Sequence, residues 1–265
     1  MAHPLDGVDA KLHRAIAHIA NLEREIRAFT ERKPYTLRRQ EEPSAGGLEV
    51  KLFAVDSGIG DPPVSIRLLA GEVIYQLRSA LDHLIHQLVI LNGQAVKLHN
   101  SRSHQFPIFE TREGYVKRAP RMIDGVSKAV AQMVEDAQPY KRLPNAPKQH
   151  SLWRVQDLNN TDKHRLIPIT VVGVEQITGR ESADNTTYAD VFRMHRPGPL
   201  KDGELIAGFV TRDKHIHTDL ACTISFQHIP TIQGPLNTMP ASMHGLLWYL
   251  TSDVGTVIED FRRLF

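Results

Sequence analysis

The chain has 265 residues, 41% of them apolar and 23% charged, with a net charge of +2 and a pI near 8.7. A chain of this length and composition can bury a substantial core without disulfide or metal staples, and its charge is too close to balance to announce nucleic-acid binding. Cys222 is the single cysteine, so no internal disulfide can form; this fits a reducing, cytoplasmic setting. The N-terminus shows no basic segment followed by an apolar run, so no signal peptide is expected. No apolar stretch approaches the roughly 18–20 residues of a membrane span.

Val8, Leu12, Ile16, Ile19, Leu22, Ile26 and Phe29 recur at three- and four-residue steps and predict a helix over 5–33, ending near Pro34. "EEPSAGG" reads as a loop. "LEVKLFAV" reads as a strand with Leu48, Val50, Leu52 and Ala54 on one face. After the loop "DSGIGDPP", a second long helix is expected over 64–92, with Gly93 as its stop. Residues 99–110 read as a loop with a short extended piece. Ile123, Val126, Val130 and Met133 predict a helix over 121–137. The Pro-rich "QPYKRLPNAPK" reads as a connector before a helix over 148–162. The texture then changes: "LIPITVVGV", "YADVFRM", "ELIAGFV" and "ACTISFQHI" are β-rich runs, and their short spacing suggests antiparallel pairing. Leu247, Leu250, Val254, Val257, Phe261 and Leu264 return to helical spacing over 240–264.

Helices, then strands, then a helix argue for an α+β fold rather than alternating βαβ units. The expectation is one domain over 1–265. Its helical part, about 1–164 plus 238–265, is a bundle around the long central helix, to which the C-terminal helix returns. The bundle packs on an antiparallel sheet from about 165–230, with 48–55 as a further candidate strand.

The central helix carries "LRSALDHLIHQL", residues 77–88. At about 100° per residue, Ile66, Leu69, Val73, Leu77, Leu84 and Leu88 form the core stripe, while Glu72, Ser79, His83 and His86 fall opposite. Arg78 and Asp82 lie to one side, four residues apart; on a solvated face such a pair contributes only about 0.3–0.5 kcal/mol. A second polar cluster, Asn159, Asn160, Asp162, Lys163, His164 and Arg165, ends the helix over 148–162. It can serve as a polar terminus favourable to the helix dipole. It can also serve as a reactive set, with His164 transferring protons near neutral pH and Lys163 or Arg165 stabilising developing negative charge.

Taken in order, "GEVIYQLRSALDHL", "FPIF", "QPY" and "LWRVQDLNNTDKHRL" resemble a bacterial protein family of no established activity, over roughly residues 68–168. The resemblance implies that Arg78, Asp82, His83, Asp162, Lys163 and His164 work together. The Arg78-x4-His83 spacing also resembles the signature of the HEPN superfamily, whose members are helical and often act as ribonucleases or toxins. A second pair at that spacing, Arg212 and His217, lies in a strand-like run.

Three functional classes follow. The first is a HEPN-like, metal-independent ribonuclease or toxin-type protein. His83 and His164 would exchange protons, Arg78 and Lys163 would contact phosphate, Asp82 would orient a neighbour, and Asn159, Asp162 and Arg165 would bind substrate. RNA and a second copy of the chain are its expected partners. The second class is a non-catalytic small-molecule or protein-binding module, in which the polar clusters are structural. The third is a metal-dependent enzyme built on Glu72, Asp82 and His86, with His83 and His164 near by. No complete ligand set is readable, so no metal or other cofactor is expected. His215 and His217 would share one strand face, and Cys222 reads as a core thiol. No DNA-binding signature, phosphate-binding glycine loop, nucleophile elbow or paired-cysteine motif occurs.

Overall fold

The computed structural model describes residues 3–95, 104–176, 190–193, 200–211, 219–226 and 242–265. The fold is α+β. The helices are α1 (Asp6–Thr30), α2 (Val64–Leu91), α3 (Arg112–Met122), α4 (Lys128–Asp136), α5 (Pro139–Arg142), α6 (Ser151–His164) and α7 (Met243–Arg262). The strands are β1 (Tyr35–Ser44), β2 (Gly47–Asp56), β3 (Ile169–Gln176), β4 (Asp190–Arg193), β5 (Leu205–Thr211) and β6 (Asp219–Phe226). The chain divides into two compact units. The helical unit takes Met1–Glu23, Arg67–Ile167 and His244–Phe265; the β-rich unit takes Arg24–Ile66 and Pro168–Met243. No helix among the described residues is long and apolar enough to cross a membrane.

In the β-rich unit, one antiparallel sheet has the order β1-β2-β5-β4, and β3 pairs antiparallel with β6. Val50 stands opposite Phe209 and Leu52 opposite Ala207, and these four residues form a buried cluster with Leu37 and Leu48 packed against it. The alternation of "LEVKLFAV" is therefore the buried face of β2. The expected loop "EEPSAGG" is instead the end of β1 and its turn. β1 pairs with β2 in unbroken register from Tyr35 to Ser44. Its half-buried positions are Tyr35, Leu37 and Arg39, so a charged side chain breaks the apolar alternation that marks a strand. β1 ends the order of its sheet, and charged residues and proline suit a sheet edge.

The helical unit is organised by α2. Ala70, Val73, Ile74, Leu77, Ala80, Leu81, Leu84, Ile85 and Val89 are all fully buried, so neighbours cover most of the circumference and not one stripe. α1 runs antiparallel to α2: Gly7 lies against His83, and His18 Nδ1 lies 3.1 Å from Glu72 Oε2. α7 returns antiparallel along α1, with Arg262 on Asp9 at 2.7 Å and His244 near Glu23 at 3.4 Å. The C-terminal helix thus joins the bundle as its apolar spacing predicts.

The expected single helix over 121–137 is interrupted: α3 ends at Met122 and α4 starts at Lys128. Gly125 takes φ of 98°, a backbone region that side chains other than glycine rarely enter, and Ser127 caps α4 by accepting from the Val130 amide. α3 escapes the periodicity reading because only Tyr115 and Ala119 are buried in an otherwise polar eleven-residue segment.

Candidate functional site

Arg78 is buried, at 5% exposure. Its Nη2 donates to Asp82 Oδ1 at 2.7 Å, to the Phe106 carbonyl at 2.7 Å and to Gln105 Oε1 at 3.3 Å. Asp82 Oδ1 also accepts from the Phe106 amide at 2.9 Å. Two side chains one helical turn apart therefore grip both polar groups of one peptide residue. Phe106 itself is fully buried and meets Phe261 of α7 edge-on, with ring centroids 6.4 Å apart. The pair does not stand on a solvated face: Arg78 is buried and Asp82 half-buried, and together they clamp Phe106. Burial lowers the Arg78 pKa against the pull of Asp82, and burial raises that of Asp82 against the pull of Arg78, the Phe106 amide and the more distant Lys163. Arg78 Nη1 is also buried, with no hydrogen-bond partner among the described residues.

The same peptide segment is gripped from its other side. Gln138, completely buried, accepts from the Phe109 amide at 3.0 Å and donates to the carbonyls of Pro107 at 2.8 Å and Val134 at 2.9 Å. "LRSALDHL", "FPIF" and "QPY" are thus parts of one network. Among the described residues the extended strip 105–109 pairs with no strand; side chains supply the backbone partners of Phe106, Pro107 and Phe109, and the Gln105 amide donates to the Met122 carbonyl at 3.1 Å. The sequence reading left Gln138 out. Its only signal was a glutamine ahead of a proline, opposite a segment in which Pro107 removes a donor.

His83 faces elsewhere. Its ring lies against Gly7 of α1, meets His86 edge-on at 5.9 Å and stands 3.3 Å from Gln87 Nε2. Burial lowers its pKa, with His86 and Lys11 acting in the same direction. Of the second cluster, Asp162 packs against Gly71 of α2; a Cβ there would lie 2.6 Å from its Cγ and 2.7 Å from its Oδ2. Burial and neighbouring Glu72 raise the Asp162 pKa. Asn159 is buried, while Lys163, His164 and Arg165 are exposed. The structure therefore joins Arg78 to Asp82, brings Lys163 within electrostatic reach of Asp82, and sets Asp162 on α2. His83 belongs to the α1 contact.

The residues of the metal alternative are spread out. Glu72 lies by His18, Asp82 by Arg78, and His86 is exposed beside His83. Among the described residues no group of three His, Cys, Asp or Glu side chains is arranged to hold a metal ion. Arg212, His215 and His217 lie outside the described residues.

A third polar cluster at the start of α6 went unread. His150 caps that helix, its Nδ1 accepting from the Leu152 amide at 3.2 Å. Ser151 Oγ donates to Asp253 of α7, and Arg154 is buried near Tyr249. Burial and Arg142 lower the His150 pKa, while Asp253 opposes them. The signal available was a His-Ser pair at a helix start, and histidine is not among the residues that ordinarily mark a helix N-cap.

Two outcomes test these placements. Gly71→Ala gains helix propensity worth up to about 1 kcal/mol, yet here it forces a methyl onto the Asp162 carboxylate. We expect it to destabilise the wild type by about 1–3 kcal/mol and to stabilise an Asp162→Ala background, as read by denaturant unfolding. The folded His83 pKa lies below the ordinary 6.5, so the unfolded chain binds the proton more readily and stability falls as pH drops below that value. His83→Gln should accordingly flatten the loss of thermal midpoint between about pH 7.5 and about pH 5.5. His150, shifted the same way, contributes equally to both proteins.

Compared with protein-family models, curated proteins and solved structures, the chain matches none.

Proposed function

We propose that the chain is a non-catalytic binding module whose central polar residues frame the helical unit. The observation that carries this reading is the pairing of Arg78 and Asp82 with the backbone of Phe106. A catalytic guanidinium must present its donors to a substrate. Arg78 is 5% exposed, and its Nη2 donors are spent on protein oxygens. His83, the other half of the Arg-x4-His spacing, turns to α1, about 100° around the helix from Asp82. Such a frame fixes a rigid surface for a small molecule or a protein, and the lone Cys222 fits a cytoplasmic setting.

The metal-independent ribonuclease is the second reading. It is favoured by one observation: the exposed Lys163, His164 and Arg165 at the end of α6, where a proton-transfer group stands between two cations.

The two readings divide on four variants and on the wild type. We expect Arg78→Ala and Asp82→Ala each to lower unfolding free energy by roughly 3–5 kcal/mol, since each leaves a buried polar partner unmatched. Arg78→Lys should also lose stability, because a single ammonium cannot reproduce the planar fork. Wild type should leave varied RNAs intact. Cleavage by wild type that His164→Ala abolishes by about 10²–10⁴-fold, with an unchanged thermal midpoint, would contradict the proposal and establish the second reading.

A further inference from the structure

Between Gly245 and Ile258, α7 holds one charged residue, Asp253, and its carboxylate accepts from Ser151 of α6. The outward side of α7 is therefore uncharged over about three turns. Trp248 and Tyr249 stand on it at 40% and 44% exposure, and Ser252 and Thr256 are exposed further along. Polar atoms of this face are turned back into the helix. The Trp248 indole donates to His244 Nε2 at 2.9 Å, and the Thr256 hydroxyl donates to the Ser252 carbonyl at 3.1 Å. What Trp248 and Thr256 present outward is ring and methyl. Gly255 belongs to the same face. Glycine inside a helix is disfavoured against alanine. Gly71 has its reason in Asp162, but a Cβ at Gly255 would meet nothing within 4 Å among the described residues. Packing within the chain does not account for Gly255.

We propose that this face binds a second copy of the chain, α7 against α7, antiparallel about a two-fold axis at Ser252. At about 100° per residue, Trp248 and Gly255 fall on one side of Ser252, at about 40° and 60°, and Tyr249 and Thr256 fall on the other, at about 60° and 40°. A two-fold axis across an antiparallel pair keeps the side and reverses the height. It sets Trp248 over Gly255 of the second copy and Tyr249 over Thr256, each contact made twice. The large ring thus meets the open surface left by the glycine. Charge agrees with this pairing. No charged side chain meets its own copy at the axis. Exposed Glu259, which holds Arg262 of its own helix through Oε2, comes alongside the N-terminal turn of the other α7, the positive end of that helix dipole. Area sets the strength. A face about 20 Å long and about 10 Å wide falls well short of the roughly 800 Å² that each partner of a standard interface buries, so the dimer is weak and forms with concentration. The pairing uses no residue of the Phe106 network, so it holds or fails separately from the reading above.

The test is sedimentation equilibrium of the full chain over a range of concentrations reaching about 1 mM. The average mass should rise from 29.8 kDa toward twice that value, with a dissociation constant between about 1 μM and about 1 mM. Gly255→Gln fills the hollow under Trp248 and should weaken pairing by about tenfold or more. The same change adds helix propensity, so the thermal midpoint of the monomer should hold or rise, and lost folding cannot explain lost pairing. Ser252→Cys, made together with Cys222→Ser, should be trapped as a dimer by mild oxidation, because a residue on the axis meets its own copy within disulfide reach. A chain that stays monomeric throughout the range would overturn the proposal. So would a dimer that Gly255→Gln leaves as tight as before, since it would belong to another surface. A monomeric chain whose tryptophan emission shifts on adding phosphatidylcholine vesicles would assign the face to lipid instead.

Discussion

Everything in the helical unit depends on how the strip from Gln105 to Phe109 is held. An extended segment inside a helical bundle has no neighbouring strand to satisfy its amides and carbonyls, and a buried polar group left unpaired costs about 1–3 kcal/mol. Here Arg78 and Asp82 take both groups of Phe106, and Gln138 takes the Pro107 carbonyl and the Phe109 amide. With those satisfied, the Phe106 ring can sit fully buried against Phe261 and Phe109 can meet Tyr115 at 6.1 Å. The polar network therefore makes the apolar packing possible, and it ties α2, α3, α4 and α7 to one short strip.

A buried ion pair is seldom a net source of stability, because desolvating two charges offsets most of their attraction. What the pair supplies here is placement. Hydrophobic side chains in its position would pack equally well but would leave the Phe106 backbone unmatched and the strip free to slide. The same logic explains Gly71. A helix interior ordinarily disfavours glycine, yet only a residue without a side chain lets Asp162 of α6 approach the α2 backbone so closely. Both features are constraints on position, and both make "LRSALDHL" and "LWRVQDLNNTDKHRL" read as sequence motifs without any reacting group being required.

How far this could be read from the sequence follows from what kind of signal each residue carries. Apolar periodicities exposed α1, α2, α4 and α7, the alternation of "LEVKLFAV" exposed β2, and β-rich runs exposed β3, β4, β5 and β6. β1 was hidden because Arg39 occupies a half-buried position, and α3 because two buried residues are too few to set a period. Arg78 and Asp82 were legible as a pair from their four-residue spacing. Their burial was not, because that depends on residues 105–109 crossing over them. His83 was read as sharing a site with Arg78, but the rotation between adjacent residues on a helix sends it to α1. Gln138 carried only the signal of a glutamine before a proline, since the strip it holds lies about thirty residues away in sequence.

The most direct measurement of the central claim is hydrogen exchange at the Phe106 and Phe109 amides, in wild type and in Asp82→Ala. The account predicts that in wild type both amides exchange only through unfolding of the helical unit, with protection close to that of the central residues of α2. In Asp82→Ala the Phe106 amide should lose protection by local opening, beyond whatever is lost across α2, while the amides of α4 follow the unit as a whole. Rapid exchange of the Phe106 amide in the wild-type protein would contradict the clamp, and with it the assignment of Arg78 and Asp82 to the frame of the fold.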